Sequence, residues 1–286
     1  MKLGVIGGSG LYEMAGVERK RWVTVTTPFG KPSDQFLTGQ LGNRDVVFLP
    51  RHGRGHKILP SELNHRANIY GMKKLGVGWI ISISAVGSLK EEYKPTDIVV
   101  IDQFFDRTKR SQDLTFFGDG VAAHVSFADP VCGRLRQVLV DCARQAGATV
   151  HASGTYVNME GPAFSTRAES EFHRRMGWDV IGMTNLGEAR CAREAEICYA
   201  TLAMVTDYDC WHVAEEAVTV EMIIGNLQKN AKTAEEIARL AVAAIDENAD
   251  CGCHHALAQA VLTRPETMRP ATRKKLCLLI GKYLKK

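Results

Sequence analysis

The sequence predicts a single three-layer α/β domain, and three observations carry that prediction. Short β-branched apolar runs alternate with longer segments of helical period. The alternation persists to residue 248 with no internal repeat or low-complexity tract. Strands crowd the early chain with few helices between them, so the flanked central sheet is expected to be mixed rather than purely parallel. A chain of 286 residues is long enough to bury a substantial core.

Residues 3–6, 23–26, 46–49, 79–84 and 98–101 read as strands, followed by 149–156, 180–181 and 199–206. Residues 61–75, 130–146, 165–176, 186–196 and 220–248 read as helices. The last places Val220, Ile223, Ile224 and Leu227 on one face of a 3.6-residue period, which core packing alone would also explain. After Asp250 the pattern weakens, and 254–263 and 271–284 predict two short helices. The expected division is a main domain over 1–250 and a helical appendage over 251–286.

Composition excludes several classes. A net charge of +4 is too weak to argue for nucleic acid. No run of about 18 apolar residues is available to span a membrane. The apolar start is too short for a signal peptide, so the expected compartment is the cytoplasm, with no membrane partner. Most of the 8 cysteines sit alone in apolar surroundings, as inert buried thiols do. Cys251-Gly252-Cys253-His254-His255 is different, and reads as a strained disulfide or a metal cluster. No second Cys/His pair stands at zinc spacing, so no metal is expected.

Several strand ends carry residues suited to chemistry. Val5-Ile6-Gly7-Gly8-Ser9-Gly10 runs from a strand into a glycine turn whose amides and Ser9 hydroxyl can approach an anion. A dinucleotide fingerprint would need glycine at Glu13, which weakens an oxidoreductase reading. Pro50-Arg51-His52-Gly53 offers a planar guanidinium and an imidazole donor for the same anion. Ile83-Ser84-Ala85-Val86-Gly87 and Gly182-Met183-Thr184-Asn185 are further strand ends with hydroxyls. Phe164 can present a flat face to an aromatic ligand, while Ser165 and Glu169 can cap the helix that follows. Asp207 and Asp209 share a side if the backbone stays extended, and burial with mutual repulsion can keep one protonated.

In order, these segments resemble the trimeric purine nucleoside phosphorylase superfamily, in its methylthioadenosine phosphorylase branch. The likeness runs from residue 3 to about 245. It is most specific at Gly7-Gly8-Ser9-Gly10, Thr27-Pro28-Phe29-Gly30-Lys31-Pro32-Ser33-Asp34, Arg51-His52-Gly53, Asp102-Gln103-Phe104, Glu160-Gly161-Pro162 and Thr206-Asp207-Tyr208-Asp209-Cys210-Trp211. The resemblance implies a partly barrel-like sheet and phosphorolysis of S-methyl-5′-thioadenosine to adenine and 5-methylthioribose 1-phosphate. It implies phosphate contacts from Ser9, Arg51, His52, Ser84, Ala85 and Thr184. The family usually has threonine where Ser9 and Ser84 stand; both keep the hydroxyl. Met183 and Phe164 would hold the nucleoside, and Asp207 and Asp209 would read the base as catalytic carboxyls. Val220, Ile223 and Ile224 would line a methylthio pocket, with Ile223 standing where related enzymes carry a histidine for the 5′-hydroxyl. His124 would reach a neighbouring subunit's site, so a homotrimer or dimer of trimers is implied. Phosphate is a co-substrate, and no cofactor is implied.

The 6-oxopurine enzymes of the superfamily carry asparagine where Asp207 stands and glutamate where Ser165 stands, so a 6-aminopurine is the expected base. The alternatives are a broad-specificity purine nucleoside or methylthioinosine phosphorylase and, from another class, a metal- or nucleic-acid-binding module.

Overall fold

The structure, a computed structural model, describes residues 1–8, 11, 16–212 and 220–284, with the side chains of 111, 112 and 220–224 outside that set. Ser9 therefore lies outside the described residues, as do the side chains of Val220, Ile223 and Ile224. In chain order the strands are β1 (Lys2–Gly7), β2 (Glu18–Val23), β3 (Phe36–Leu41), β4 (Arg44–Pro50), β5 (Val77–Ser88), β6 (Ile98–Val100), β7 (Gln103–Asp106), β8 (Val150–His151), β9 (Thr155–Asn158), β10 (Val180–Gly182) and β11 (Cys198–Asp207). The helices are α1 (His65–Lys74), α2 (Gly133–Gln145), α3 (Arg167–Arg175), α4 (Asn185–Glu194), α5 (Val220–Ala244) and α6 (Pro270–Ile280).

The strands form one mixed sheet in the order β2-β3-β4-β1-β5-β10-β9-β7. The sheet branches at β5, which lies parallel to β1 and β11 but pairs antiparallel with β10 through Gly87 and Ser88. β11 carries β6 on its other edge, and β6 carries β8. The branch gives the sheet its mixed, partly barrel-like form.

Strand alternation builds the three layers. Leu3, Val5, Trp79, Ile81 and Leu202 face Leu135 and Leu139 of α2 and Ile237 and Val242 of α5. Ile6, Leu49, Ile80 and Tyr199 face the opposite side, with Ile69 of α1, Ala189 of α4 and Leu279 and Ile280 of α6. Each fully buried aliphatic side chain contributes roughly 1.5–3 kcal/mol. The tail beyond Asp250 shares this second core through Leu257, Met268, Leu276 and Leu279.

Several elements differ from expectation for identifiable reasons. The strand expected at 23–26 lies instead at Glu18–Val23, a mostly exposed, charged sequence whose only strand partner among the described residues is β3. An edge strand needs no apolar face, so periodicity misses it. The strands β3 and β7 escaped notice because polar residues interrupt both. The run 149–156 splits into β8 and β9, and the break lets the chain leave β6 and join β7 and β10. Of the helix expected over 254–263, only a 3-10 turn at Gly252–His255 forms. The cap of α3 is Thr166 rather than Ser165: its hydroxyl accepts from the Glu169 amide, and Glu169 reaches back to the Thr166 amide.

Candidate active site

Four strand ends open into one cleft of ≈ 310 Å³. Arg51 follows β4, Ser84 to Gly87 lie late in β5, Met183 and Thr184 follow β10, and Asp207 ends β11. Carboxyl ends of parallel strands are where open α/β sheets bind ligands. Arg51, His52, Ser84, Ala85, Phe164, Met183, Thr184, Asp207 and Asp209, each singled out in the sequence, all line this cleft.

Arg51 is held from three directions. Its Nη1 donates to the Ile83 carbonyl at 2.9 Å, and its Nη2 donates to Ser82 Oγ at 2.6 Å. The Glu188 carboxylate accepts from Nε and Nη2. Among the described residues, one N–H on Nη1 is left of the five donors. Gly8 covers that nitrogen: a Cβ there would sit 2.7 Å from Nη1 and 2.7 Å from the Ile83 carbonyl, so only glycine fits. Burial opposes the Glu188 charge, but Arg51 holds the carboxyl below its ordinary value.

Beneath this pair lies a buried polar network that the sequence did not reveal. Ser82 Oγ and Tyr199 Oη donate to Glu188 Oε2 at 2.6 and 2.9 Å. Asn185 Nδ2 donates to Ser82 Oγ and to Tyr199 Oη. Thr184 occupies the N-cap position of α4, yet its hydroxyl accepts no capping hydrogen bond. The Thr184 hydroxyl donates instead to Asn185 Oδ1 at 3.4 Å, and the helix directs its positive end at the cleft.

The imidazole of His52 is positioned differently from a simple anion donor. Its Nδ1–H donates to the Ile58 carbonyl at 2.8 Å, and its ring stacks on His56 at 4.4 Å. Burial, then the Arg51 charge, lowers its pKa to about 4. Near neutral pH the ring is uncharged and Nε2 is an acceptor.

The carboxylate pair is set by a turn, not by the extended backbone expected. Asp209 has φ 53°, a left-handed conformation that aspartate tolerates. Its amide donates to Asp207 Oδ1 at 2.8 Å, closing the turn and keeping both carboxyls on the cleft wall. Gly87 makes room: a Cβ there would lie 2.9 Å from Asp207 Oδ1. The Thr206 hydroxyl has one proton and two oxygen neighbours, Asp207 Oδ2 at 2.7 Å and the Val86 carbonyl at 3.2 Å. When that proton goes to Val86, a proton on Asp207 Oδ2 completes the set. Burial raises the Asp209 carboxyl to about 6, with a further push from Asp207, while the Ser170 and Ser165 hydroxyls offset part of it.

Other cleft residues were not foreseen, among them His56, Met159, Pro162, Thr206 and Leu227. Phe164 stands at the rim, 58% exposed. His124 lies outside this cleft, in a separate surface hollow with Arg190 and Glu194. Among the described residues, no group of three or more metal-ligating side chains converges in the cleft; one such group of cysteines lies elsewhere. No helix among the described residues is long and apolar enough to cross a membrane.

Residues 2–243 match the family described as the Phosphorylase superfamily. An S-methyl-5′-thioadenosine phosphorylase from Koribacter versatilis is 57% identical over 282 residues, covering 99% of this chain and 96% of that protein. One from Geobacter sulfurreducens is 56% identical, covering 99% of each. A solved methylthioadenosine phosphorylase sourced from an antarctic soil metagenomic library superposes with a TM-score of 0.92 at 50% identity, over 97% of this chain and 98% of that one. A mutant adenosine/methylthioadenosine phosphorylase from Schistosoma mansoni, in complex with methylthioadenosine, is 40% identical with a TM-score of 0.79, over 86% of this chain and 93% of that one.

Proposed function

The chain belongs to the phosphorylase superfamily, and from that premise we propose that it cleaves S-methyl-5′-thioadenosine with inorganic phosphate, yielding adenine and 5-methylthioribose 1-phosphate. The observation that carries this reading is that one cleft joins Arg51 and the α4 N-terminus to the Asp207–Asp209 pair.

Splitting the N-glycosidic bond leaves positive charge on the sugar and negative charge on the purine. Phosphate beneath the sugar stabilises the cationic carbon and then bonds to it, as the C–N electron pair leaves with the base. Arg51, Thr184 and Ser84, which line the cleft, hold that phosphate with Ala85 beside it, and the Ser9 hydroxyl is a further donor to it. Asp207 supplies a proton to the departing N7, with Asp209 as the second carboxyl of the pair, and accepts from the adenine amino group when ionised. Met183 contacts the ribose hydroxyls and Phe164 packs on the nucleoside.

The methylthio group rests on the face of α5 that bears Val220, Ile223 and Ile224. Support comes from Leu227, on the same face by helical period, which lines the cleft. A buried hydroxyl without a partner costs about 1–3 kcal/mol, so adenosine is a poorer substrate by roughly 5–150-fold. His124 serves a neighbouring subunit's cleft in a trimer or a dimer of trimers; its position outside its own cleft supports this. The reaction uses no cofactor and runs in the cytoplasm.

A phosphate-dependent release assay with methylthioadenosine, adenosine and inosine side by side tests the reading. Preference in that order supports it, and comparable efficiency on inosine overturns the assignment of the base.

A further inference from the structure

Four cysteines from three distant segments converge at one point away from the cleft. Cys132 immediately precedes α2, Cys198 begins β11, and Cys251 and Cys253 flank Gly252 in the turn after α5. Their four Sγ atoms all lie within 4.8 Å of one another, and Cys132 Sγ is 3.7 Å from Cys251 Sγ. All four are free thiols rather than bridged pairs. A tetrahedral thiolate site with Zn–S bonds of about 2.3 Å has sulfurs about 3.8 Å apart. We propose that Cys132, Cys198, Cys251 and Cys253 bind one zinc ion in a closed, structural site.

The surroundings suit that charge. Four thiolates around Zn²⁺ leave two negative charges. Cys132 is the N-cap residue of the 13-residue α2, so that helix starts at the site. His254 Nε2 lies 3.1 Å from the Gly78 carbonyl and 3.4 Å from Cys198 Sγ. Its N–H thus bridges to the sulfur from outside the ligand set, as partners of metal-bound sulfurs do. Zinc binding releases the thiol protons to solvent.

Spacing along the chain could not reveal this site. Cys-Gly-Cys supplies two ligands, and the other two come from positions 66 residues apart that only the packing of α2 beside β11 brings together. The ion would fasten the start of the tail to the sheet. Beyond it the tail pairs with the segment carrying His124: the His124 amide donates to the Ala260 carbonyl, and the Leu262 amide to the Ala122 carbonyl, each at 2.9 Å.

Elemental analysis of full-length protein, purified with reductant and without chelator, should find about one zinc per chain. Replacing zinc by cobalt should give intense sulfur-to-cobalt absorption with the visible bands of a tetrahedral ion. The double change Cys251→Ser, Cys253→Ser should abolish both, whereas Cys142→Ser should keep both. If the double variant fails to fold, the cobalt spectrum of the unaltered protein decides. Reduced, metal-free protein that gives no cobalt bands overturns the proposal, and so do Cys–Cys bridges found by mass spectrometry of that preparation.

Discussion

The Glu188 carboxylate grips the Arg51 guanidinium side-on, with Nε donating to Oε1 at 2.5 Å and Nη2 to Oε2 at 3.2 Å. Both side chains are 1% exposed. Arg51 therefore reaches the cleft charge-balanced and held in place by a residue from α4.

Removing one member of a buried ion pair strands the other, at a cost of about 3–5 kcal/mol. Glu188→Gln should lower the unfolding free energy by about that amount in a urea titration. As a positioning change it should raise KM for phosphate while leaving KM for the nucleoside nearly unaltered. An unshifted denaturation midpoint would remove Glu188 from this role.

The raised carboxyl of Asp209 sets a pH dependence. Its pKa of about 6 means the proton is present below that value and lost above it. Where the pair must carry a proton to assist the leaving base, kcat/KM falls as pH rises through about 6. The sign for folding is the same. The folded state holds a proton that the unfolded chain releases near 3.8, so the stabilisation is complete below 3.8 and gone above about 6. Asp209→Asn should erase that limb of the pH–rate profile; a profile that keeps it places the titrating group elsewhere.

How much of this was readable in the sequence divides along a physical line. Arg51, Thr184 and Asp207 stand at strand ends and Ser84 late in a strand, where a local pattern of apolar run then polar residue announces them. Glu188, Ser82 and Tyr199 lie inside regular elements, where nothing local separates a buried polar partner from an ordinary surface residue. Asp209 lines the cleft on a left-handed turn rather than on the extended backbone that the sequence suggests, because such a turn has no periodic signature. The charged edge strand β2 was missed because strand patterns are patterns of burial, and it has little.

Asp207→Asn tests the acid directly. The amide keeps the shape and can still donate to N7, but it cannot give up a proton to the leaving base. Turnover on methylthioadenosine should drop at least about tenfold, general acid catalysis being typically worth about 10²–10⁴-fold. The loss should be smaller on an analogue whose base leaves readily without protonation. Equal turnover by variant and parent on both substrates would remove Asp207 from the acid role.

His52 distinguishes between anions of the same shape. Its Nδ1–H is committed to the Ile58 carbonyl, and at a pKa of about 4 the ring carries no second proton near neutrality. Nε2 must therefore accept, and its partner must bring a hydrogen. Hydrogen phosphate has a P–OH to give; sulfate has none. A lone pair facing a bare anionic oxygen is a mispaired buried polar contact, at about 1–3 kcal/mol, or roughly 5–150-fold. Sulfate should thus compete with phosphate at least about fivefold more weakly than phosphate itself binds, measured as Ki against KM at pH 7.5. In His52→Gln the amide can donate, and the gap between the two anions should narrow even as phosphate binding weakens. Sulfate inhibiting as strongly as phosphate binds would mean that His52 presents a proton to the anion, and that its contact with Ile58 does not set the tautomer.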